Sequence, residues 1–209
     1  NDFFEAIYVI SLTRRFDRRL ATTVMLKNQD IDFEFYDAID GIDLDKDFVA
    51  NSGIFASELA CRMSHLNVIK LAKQRDLVNV LILEDDAEIS RTFSADFAAW
   101  SRQVPEDWQL LYLSGNHSTC KEDGKGWYPV RPNIMRIKHT LTTAAWSCNC
   151  QIYDTIIERL SNGTKQVDLE LCEIQLIVPA YAFKPSLITQ RDGFSDIQGC
   201  KVSYKGIVT

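Results

Sequence analysis

An apolar run that ends in three consecutive acids is the feature that most constrains the fold of this chain. Residues 78–83 are almost wholly apolar, without the alternation of a half-exposed strand, and Glu84, Asp85 and Asp86 follow directly. A strand covered on both faces has this pattern, which is typical of parallel sheets flanked by helices. The run therefore predicts a central strand of an α/β sheet with three carboxylates at its end.

Other segments repeat the alternation of strands and helices. Apolar runs at residues 6–12 and 110–113 predict two more buried strands, and residues 33–36 alternate like a short strand. Apolar residues four apart predict a helix over residues 14–28. We therefore expect an α/β fold, a mostly parallel sheet flanked by helices.

Further helices and two loops complete this prediction. One apolar stripe predicts a helix over residues 58–74 with Ser57 as its N-cap, and another helix is expected over residues 168–177. Residues 37–53 and 116–133 are rich in loop-forming residues and are predicted to be loops. We expect Trp127 to be exposed in the second loop and Trp146 to be buried in the core.

Charge and composition exclude two classes of protein. The 209 residues carry 23 Lys and Arg against 29 Asp and Glu, and no run of basic residues exceeds two. The chain therefore lacks the broad basic face with which most nucleic-acid-binding proteins neutralise phosphates. No stretch reaches the ~18 apolar residues of a transmembrane helix. We expect no nucleic-acid partner and no transmembrane segment.

Two features of the sequence are relevant to the cellular compartment of the protein, its first residue and its cysteines. The sequence starts at Asn1 rather than Met, so it does not test for a secretory signal. Six cysteines without a CxxC pair favour free thiols in a chain of this size. We expect a cytoplasmic protein, or one in the ER or Golgi lumen if a signal segment precedes this sequence.

The three acids lie where an open α/β sheet binds its ligand, in the crevice beyond the carboxyl ends of the strands. If the extended backbone continues, Glu84 and Asp86 project to one side and Asp85 to the other. Two carboxylates on one side suit Mg²⁺ or Mn²⁺, which completes its shell with water and substrate phosphates. The alternative is a solvated acidic turn.

Basic pairs bracket the turn after the first predicted strand. The pairs Arg14-Arg15 and Arg18-Arg19 concentrate positive charge in an acidic protein. Guanidinium groups and a helix N-terminus both bind phosphate oxygens. The alternative is surface ion pairing with Asp17 and neighbouring acids.

A polar stripe on the predicted helix 58–74 carries a histidine. Glu58, Arg62 and His65 lie four and three residues apart, opposite the apolar stripe. Such a stripe can face a binding site, whereas a single helical histidine is more often a hydrogen-bonded structural residue.

Four segments in this order resemble the motifs of glycosyltransferase family 25. They are IYVISLTRRFDRR at residues 7–19, YDAIDG at 36–41, SELACRMSH at 57–65 and LILEDD at 81–86. Weaker similarity continues through residues 108–115, 143–145, 167–168 and 195–197. The family includes lipopolysaccharide-type bacterial transferases and the collagen hydroxylysine galactosyltransferases. Two positions depart from its pattern, with Ser57 in place of Gly and Gln109 in place of Asp.

The resemblance implies one GT-A-type, Rossmann-like glycosyltransferase domain over residues 1–209. Residues 1–115 would form its nucleotide-binding half and residues 116–209 its acceptor-side half. The implied reaction is inverting, metal-dependent transfer of a hexose, galactose before glucose, from a UDP-sugar to a hydroxyl of a saccharide or hydroxylysine-type acceptor. The implied cofactor is Mn²⁺, with Mg²⁺ as the substitute.

The resemblance also assigns residues to the binding of donor and metal. The residues that match donor-binding positions are Ser11, Arg14, Arg15, Ser64, His65, Glu84 and Asp85. The residues that match metal-binding positions are Asp86, the expected direct ligand, Glu84 and Asp196.

An inverting transfer needs a base for the acceptor hydroxyl and a cation for the departing diphosphate. The resemblance places an acid at Asp168, which we assign as the base, with Glu170 as the alternative. Asp168 also begins a predicted helix, so the other interpretation is an N-terminal capping residue. The metal at Asp86, helped by Arg14 or Arg15, would stabilise the leaving group.

Two other functions also place carboxylates at a strand end. A metal-dependent phosphohydrolase would release phosphate without an acceptor. A catalytically inert nucleotide-sugar or glycan-binding module would bind UDP without turnover, and the intact acidic motif argues against it.

Overall fold

The computed structural model describes residues 3–117 and 127–204. Within these residues the strands are β1 (Ala6–Ser11), β2 (Glu34–Asp37), β3 (Asn79–Glu84), β4 (Ala87–Ile89), β5 (Leu110–Tyr112), β6 (Trp127–Arg131), β7 (Ile134–Ile137), β8 (Ala145–Asn149), β9 (Ala180–Phe183), β10 (Ile188–Gln190), β11 (Gly193–Ser195) and β12 (Cys200–Val202). The helices are α1 (Phe16–Lys27), α2 (Lys46–Ser52), α3 (Ala56–Gln74), α4 (Phe93–Trp100), α5 (Tyr153–Asn162) and α6 (Val167–Gln175). None of these helices is both long enough and apolar enough to cross a membrane.

An eight-stranded sheet in the order β2-β1-β3-β8-β5-β9-β7-β6 forms the centre of the fold. Strand β1 is parallel to β2 and β3, and β5 is parallel to β9. Strands β8 and β7 are antiparallel to their neighbours on both sides. The other six of the eight strands therefore run in one direction, which confirms the predicted mostly parallel α/β sheet.

Strand β3 is covered on both faces, as its unbroken apolar sequence predicts. Val80 and Ile82 pack in one core cluster with residues of α3, α5 and α6. Leu81 and Leu83 point to the opposite face and pack in a second cluster with residues of α1 and α4. All four are at most 3 % exposed. The central strand is thereby fixed in register, and its end holds the acids in one place.

Strand β8 connects the two halves of the chain. It lies between β3 and β5, with Leu83 opposite Ala145 and Tyr112 opposite Trp146. The Glu84 N–H donates to the Ala144 carbonyl 3.0 Å away, which extends this contact to the acidic strand end. The first and second halves therefore share one continuous sheet.

The predicted loops contain regular structure. Residues 37–53 include α2, whose N-cap Asp45 accepts a hydrogen bond from the Phe48 N–H at 2.9 Å. Residues 127–131 of the second predicted loop form β6, and residues 118–126 lie outside the described part of the chain. The half-buried Trp127 carries the Lys184 ammonium 3.6 Å above its ring, whereas Trp146 is fully buried as expected.

Two details of the predicted helices are wrong. Helix α3 begins at Ala56, where Glu58 accepts from the Phe55 N–H at 3.1 Å, and Ser57 instead donates to the Ile197 carbonyl at 2.9 Å. The apolar residues that indicate α1 lie on its exposed side. They are Phe16, Leu20 and Val24. Helix α1 packs through Thr22 and Leu26 instead, so the spacing predicts the helix but not its buried face.

Candidate active site

A cavity of ≈ 460 Å³ opens beyond the carboxyl ends of the central strands. Ser11 ends β1 and Glu84 ends β3, and these two strands are neighbours in the sheet. Helix α3, the segment after β2 and the segment after β11 supply other walls. Open α/β sheets bind ligands in this position because adjacent strand ends leave a crevice there.

The structure brings together most of the residues that the sequence singles out. Those that line the cavity are Ser11, Arg14, Ser64, His65, Glu84, Asp85, Asp86, Asp168 and Asp196. Arg15 lies at its edge and pairs with Asp17 and Asp196. Residues that are far apart along the chain therefore form one site.

Glu170 does not belong to this group. Its Oε2 accepts from Arg159 Nε at 2.5 Å and its Oε1 accepts from the Lys165 N–H at 2.8 Å. It is 1 % exposed and borders a separate surface cavity between α5 and α6. The alternative assignment of Glu170 as the base is therefore corrected to a structural ion pair.

The three consecutive acids do not continue β3 as an extended strand, because the backbone turns at residues 85 and 86. Asp85 is held on both carboxylate oxygens. Its Oδ2 accepts from Ser11 Oγ and its Oδ1 from Arg18 Nη1, each at 2.7 Å. Asp85 thus joins the end of β3 to β1 and α1, and each of its oxygens already has one hydrogen-bond partner.

Asp86 has the opposite environment. Its Oδ1 is buried and finds no hydrogen-bond partner among the described residues, and its Oδ2 lies 4.0 Å from Arg18 Nη1. Burial, together with the charges of Glu84 and Asp85, raises the pKa of Asp86 to about 7. A buried, partnerless carboxylate oxygen beside other acids is chemically suited to a hard divalent cation.

Glu84 is anchored through a single oxygen. Its Oε1 accepts from Thr143 Oγ1 at 2.6 Å and contacts His65 Nε2 at 3.3 Å. Burial raises the pKa of Glu84, but the hydrogen bonds from His65 and from the Thr143 hydroxyl outweigh it and hold that pKa below its usual value. Glu84 therefore stays ionised beside Asp86.

A buried tryptophan fixes the proton of His65. The Trp146 indole Nε1–H lies 3.3 Å from His65 Nδ1, and both side chains are fully buried. Because an indole only donates, Nδ1 must accept and the ring proton must sit on Nε2, which faces Glu84. His65 is then a donor that orients Glu84.

This tautomer also bears on a candidate metal cluster. Ligand atoms of Cys61, His65 and Glu84 lie within 4.8 Å of one another. However, the proton on Nε2 occupies the position from which His65 would bind a metal. Burial, followed by the charge of Glu84, raises the pKa of Cys61 well above its usual value, so the thiol stays protonated. The cluster is therefore a hydrogen-bonded wall of the cavity.

We expect ¹⁵N NMR of the imidazole rings to show His65 with a protonated Nε2 and an unprotonated Nδ1. Assignment is direct because the chain has three histidines. Trp146→Phe removes the donor to Nδ1 and should give a mixture of both tautomers. Trp108→Phe, which alters a tryptophan stacked on Phe3 outside the cavity, should leave the His65 signals unchanged. A protonated Nδ1 in the unmodified protein would contradict the assignment.

Asp196 is engaged by arginines. Its carboxylate lies 3.0 Å from Arg14 Nη1, accepts a hydrogen bond from Arg15 Nη1 and lies 3.8 Å from Arg18 Nη2. These contacts orient the basic turn at the mouth of the cavity. Asp196 is therefore an anchor of the basic turn in this structure, and its assignment as a metal ligand stays a prediction.

Asp168 lies on the first turn of α6 and faces the cavity. Its Oδ2 accepts from the Thr142 N–H at 3.4 Å and its Oδ1 from the Leu169 N–H at 2.8 Å. The N-cap position belongs to Gln166. Burial raises the pKa of Asp168 although both amides lower it, and a raised pKa makes the carboxylate a stronger base.

Sequence reasoning did not single out Thr142, Gln190 and Tyr204, which also line the cavity. These three carry no motif, because the sheet and its connections bring them to the site. Arg18, named in the sequence as part of the basic turn, lines the cavity on the first turn of α1.

Comparison with known proteins identifies the family. The sequence model described as "Glycosyltransferase family 25 (LPS biosynthesis protein)" matches residues 4–145. Procollagen galactosyltransferase 2 of Mus musculus is 26% identical over 152 residues, which are 64% of this chain and 24% of that protein. Inactive glycosyltransferase 25 family member 3 of Homo sapiens is 28% identical over 128 residues, 53% of this chain and 22% of that protein.

The chain thus spans about a quarter of the length of the curated relatives it matches. Among solved structures, that of A197 from STIV is similar with a TM-score of 0.49 and 11% identity, covering 88% of this chain and 82% of that one. The matched residues 4–145 contain the basic turn, helix α3, the three acids and Thr143, which together form most of the cavity. The chain belongs to glycosyltransferase family 25.

Proposed function

We propose that this chain transfers a hexose, galactose by preference, from a UDP-sugar to a hydroxyl of a saccharide or hydroxylysine-type acceptor, with inversion and with Mn²⁺ or Mg²⁺ bound. The observation that carries the proposal is the partnerless buried oxygen of Asp86 in the strand-end cavity of a family 25 chain. The name of the mouse relative supports galactose as the sugar.

The charge of the cavity argues for a metal. Seven acids line it, against two arginines. The acids are Asp40, Glu58, Glu84, Asp85, Asp86, Asp168 and Asp196. Arg14 is paired with Asp40 at 2.7 Å and Arg18 with Asp85 at the same distance. A diphosphate would be repelled here unless a divalent cation neutralised the carboxylates.

The residues present fit such a cation. Asp86 Oδ1 would be its direct ligand, and Glu84, ionised and held through Oε1 alone, would supply a second carboxylate. When bound, the metal supplies charge stabilisation for the departing diphosphate. Arg14 and Arg18 stand on the same side of the cavity and would meet the outer phosphate oxygens.

Asp168 would accept the proton of the attacking acceptor hydroxyl. Its two amide hydrogen bonds hold the carboxylate in place, and its raised pKa improves its strength as a base. His65 and Thr143 hold Glu84 in the orientation that leaves its second oxygen to the cavity. In this proposal the metal-binding acids lie at and just after the end of β3, and the base lies on α6.

Nucleotide titration tests this proposal. We expect the protein to bind UDP in preference to GDP, ADP and CMP, and to bind it well only with Mn²⁺, because two paired arginines do not offset seven acids. Isothermal titration of each nucleotide with Mn²⁺ or with EDTA measures both preferences. UDP-galactose and UDP-glucose with saccharide acceptors then rank the donors.

Four results would contradict the proposal. Equally tight binding of UDP in EDTA and in Mn²⁺ would contradict the metal dependence. Equal binding of all four nucleotides would contradict a UDP-sugar as the donor. Phosphate release without an acceptor would favour a phosphohydrolase. UDP and Mn²⁺ binding without any transfer would place the chain with the relatives whose names call them inactive.

A further inference from the structure

Thr142 has a backbone conformation that its side chain disfavours. Its φ is 70°, in the left-handed region, where a β-branched residue is strained. Among the described residues, Asp30 and Asp76 are the other non-glycine residues with positive φ, at 52° and 54°. Both are exposed and follow helices, and aspartate tolerates this region. Thr142 is therefore the strained position at the cavity.

The surrounding contacts hold Thr142 in this conformation. Before it, Leu141 and Asn116 exchange two backbone hydrogen bonds of 2.9 and 3.0 Å. After it, the Thr143 hydroxyl donates to Glu84 at 2.6 Å, and β8 begins at Ala145. Strain of this kind persists only where neighbouring structure imposes it, and it clusters at functional sites.

The strained backbone also places two polar groups of Thr142. The N–H donates to Asp168 Oδ2 at 3.4 Å. The hydroxyl Oγ1 is buried and has no hydrogen-bond partner among the described residues, although Thr142 lines the cavity. A buried hydroxyl without a partner is unfavourable in the free protein, and a ligand that supplies the partner would recover that free energy.

We propose that Thr142 Oγ1 binds a hydroxyl of the saccharide beside Asp168, and that the strained backbone is what aims it there. This inference rests on the proposed function, since it names a recognition group of the same site. The hydroxyl belongs either to the transferred hexose or to the acceptor, and the two share the same chemistry. Thr142 is a binding residue, and its amide positions the Asp168 carboxylate.

Three substitutions of Thr142 and one control separate the effect of backbone strain from that of saccharide binding by the hydroxyl. Thr142→Ser keeps the hydroxyl and should retain most of the turnover. Thr142→Val keeps the shape without the hydroxyl, and kcat/KM should fall about ten-fold, the loss of one hydrogen bond. A rise in KM for the acceptor alone assigns the hydroxyl to the acceptor, and a rise for the UDP-sugar alone assigns it to the donor.

Thr142→Gly tests the strain without an activity assay. Glycine adopts positive φ freely, so the melting temperature should rise by about 2–4 °C. Asp76→Gly is the matched control, because it makes the same backbone change at an exposed site outside the cavity. Asp76→Gly should raise the melting temperature by less and leave turnover unchanged. Thr142→Gly should lose at least as much turnover as Thr142→Val. Binding of UDP with Mn²⁺ should be unaltered in every variant.

The outcomes distinguish this inference from the proposed function. If the unmodified protein transfers sugar but Thr142→Val matches it in kcat and both KM values, the inference is overturned and the proposed function stands. A melting temperature of Thr142→Gly at or below that of the unmodified protein overturns it as well, whatever the activity. Absence of transfer by the unmodified protein counts against the proposed function. The melting temperature of Thr142→Gly, compared with that of the unmodified protein, still tests whether the backbone at Thr142 is strained.

Discussion

Asp168→Asn is expected to lower kcat by ~10²–10⁴-fold, the contribution of a general base, while UDP binding with Mn²⁺ stays close to that of the unmodified protein. The amide has the shape of the carboxylate, and its one oxygen can still accept from the Thr142 N–H while the bond from the Leu169 N–H is lost, so the side chain should stay in the cavity. It cannot take up the acceptor proton. Steady-state kinetics with UDP-galactose and nucleotide titration measure the two quantities separately.

Glu170→Gln is the matched control for this prediction. It lies on the same helix two residues away, but its carboxylate pairs with Arg159 outside the cavity. Loss of that buried ion pair should lower the melting temperature and leave kcat nearly unchanged. If Asp168→Asn instead melts much earlier with normal turnover of the folded fraction, Asp168 is a structural residue of α6.

Asp86→Asn is expected to abolish Mn²⁺-dependent UDP binding and transfer, and to raise the melting temperature measured in EDTA. The first effect follows from loss of the proposed direct ligand. The second follows from relief of repulsion, because the substitution removes a buried charge beside Glu84 and Asp85. Calorimetry with and without Mn²⁺ measures both.

The pH dependence of this variant gives a further check. Burial raises the pKa of Asp86 in the folded protein to about 7, above its ordinary value of 3.8. Between these values the folded protein binds more protons than the unfolded chain, so metal-free stability falls as the pH rises through this window. Asp86→Asn should lack that decrease. Asp85→Asn, which breaks the contacts to Ser11 and Arg18, should instead lower the melting temperature in EDTA.

Local patterns in the sequence predict much of this fold. The apolar residues before Glu84 determine a strand buried on both faces, and the stripe on α3 determines a helix against the sheet. Such features depend on neighbours along the chain. The exposed face of α1 and the helix α2 inside a predicted loop depend on packing and on a cap at Asp45, which local apolar spacing does not encode.

The sequence predicts the candidate site only in part. The position of the acids follows from the end of a strand, but the different contacts of each acid do not. Asp85 binds Ser11 and Arg18, and Asp86 keeps a free oxygen, because the backbone turns after Glu84 instead of continuing as a strand. Thr142 contacts Asp168 on α6, and Trp146 on β8 contacts His65 on α3, so both contacts join residues far apart in sequence.

The position of β8 has a consequence for any attempt to divide this chain. Without residues 145–149, β3 and β5 would each lose their shared neighbour and would present unpaired edges to solvent. A fragment that ends near residue 115 would therefore be prone to aggregate. Residues 1–115 and the residues that follow them are interwoven through this one strand, so they cannot be exchanged as separate segments between relatives.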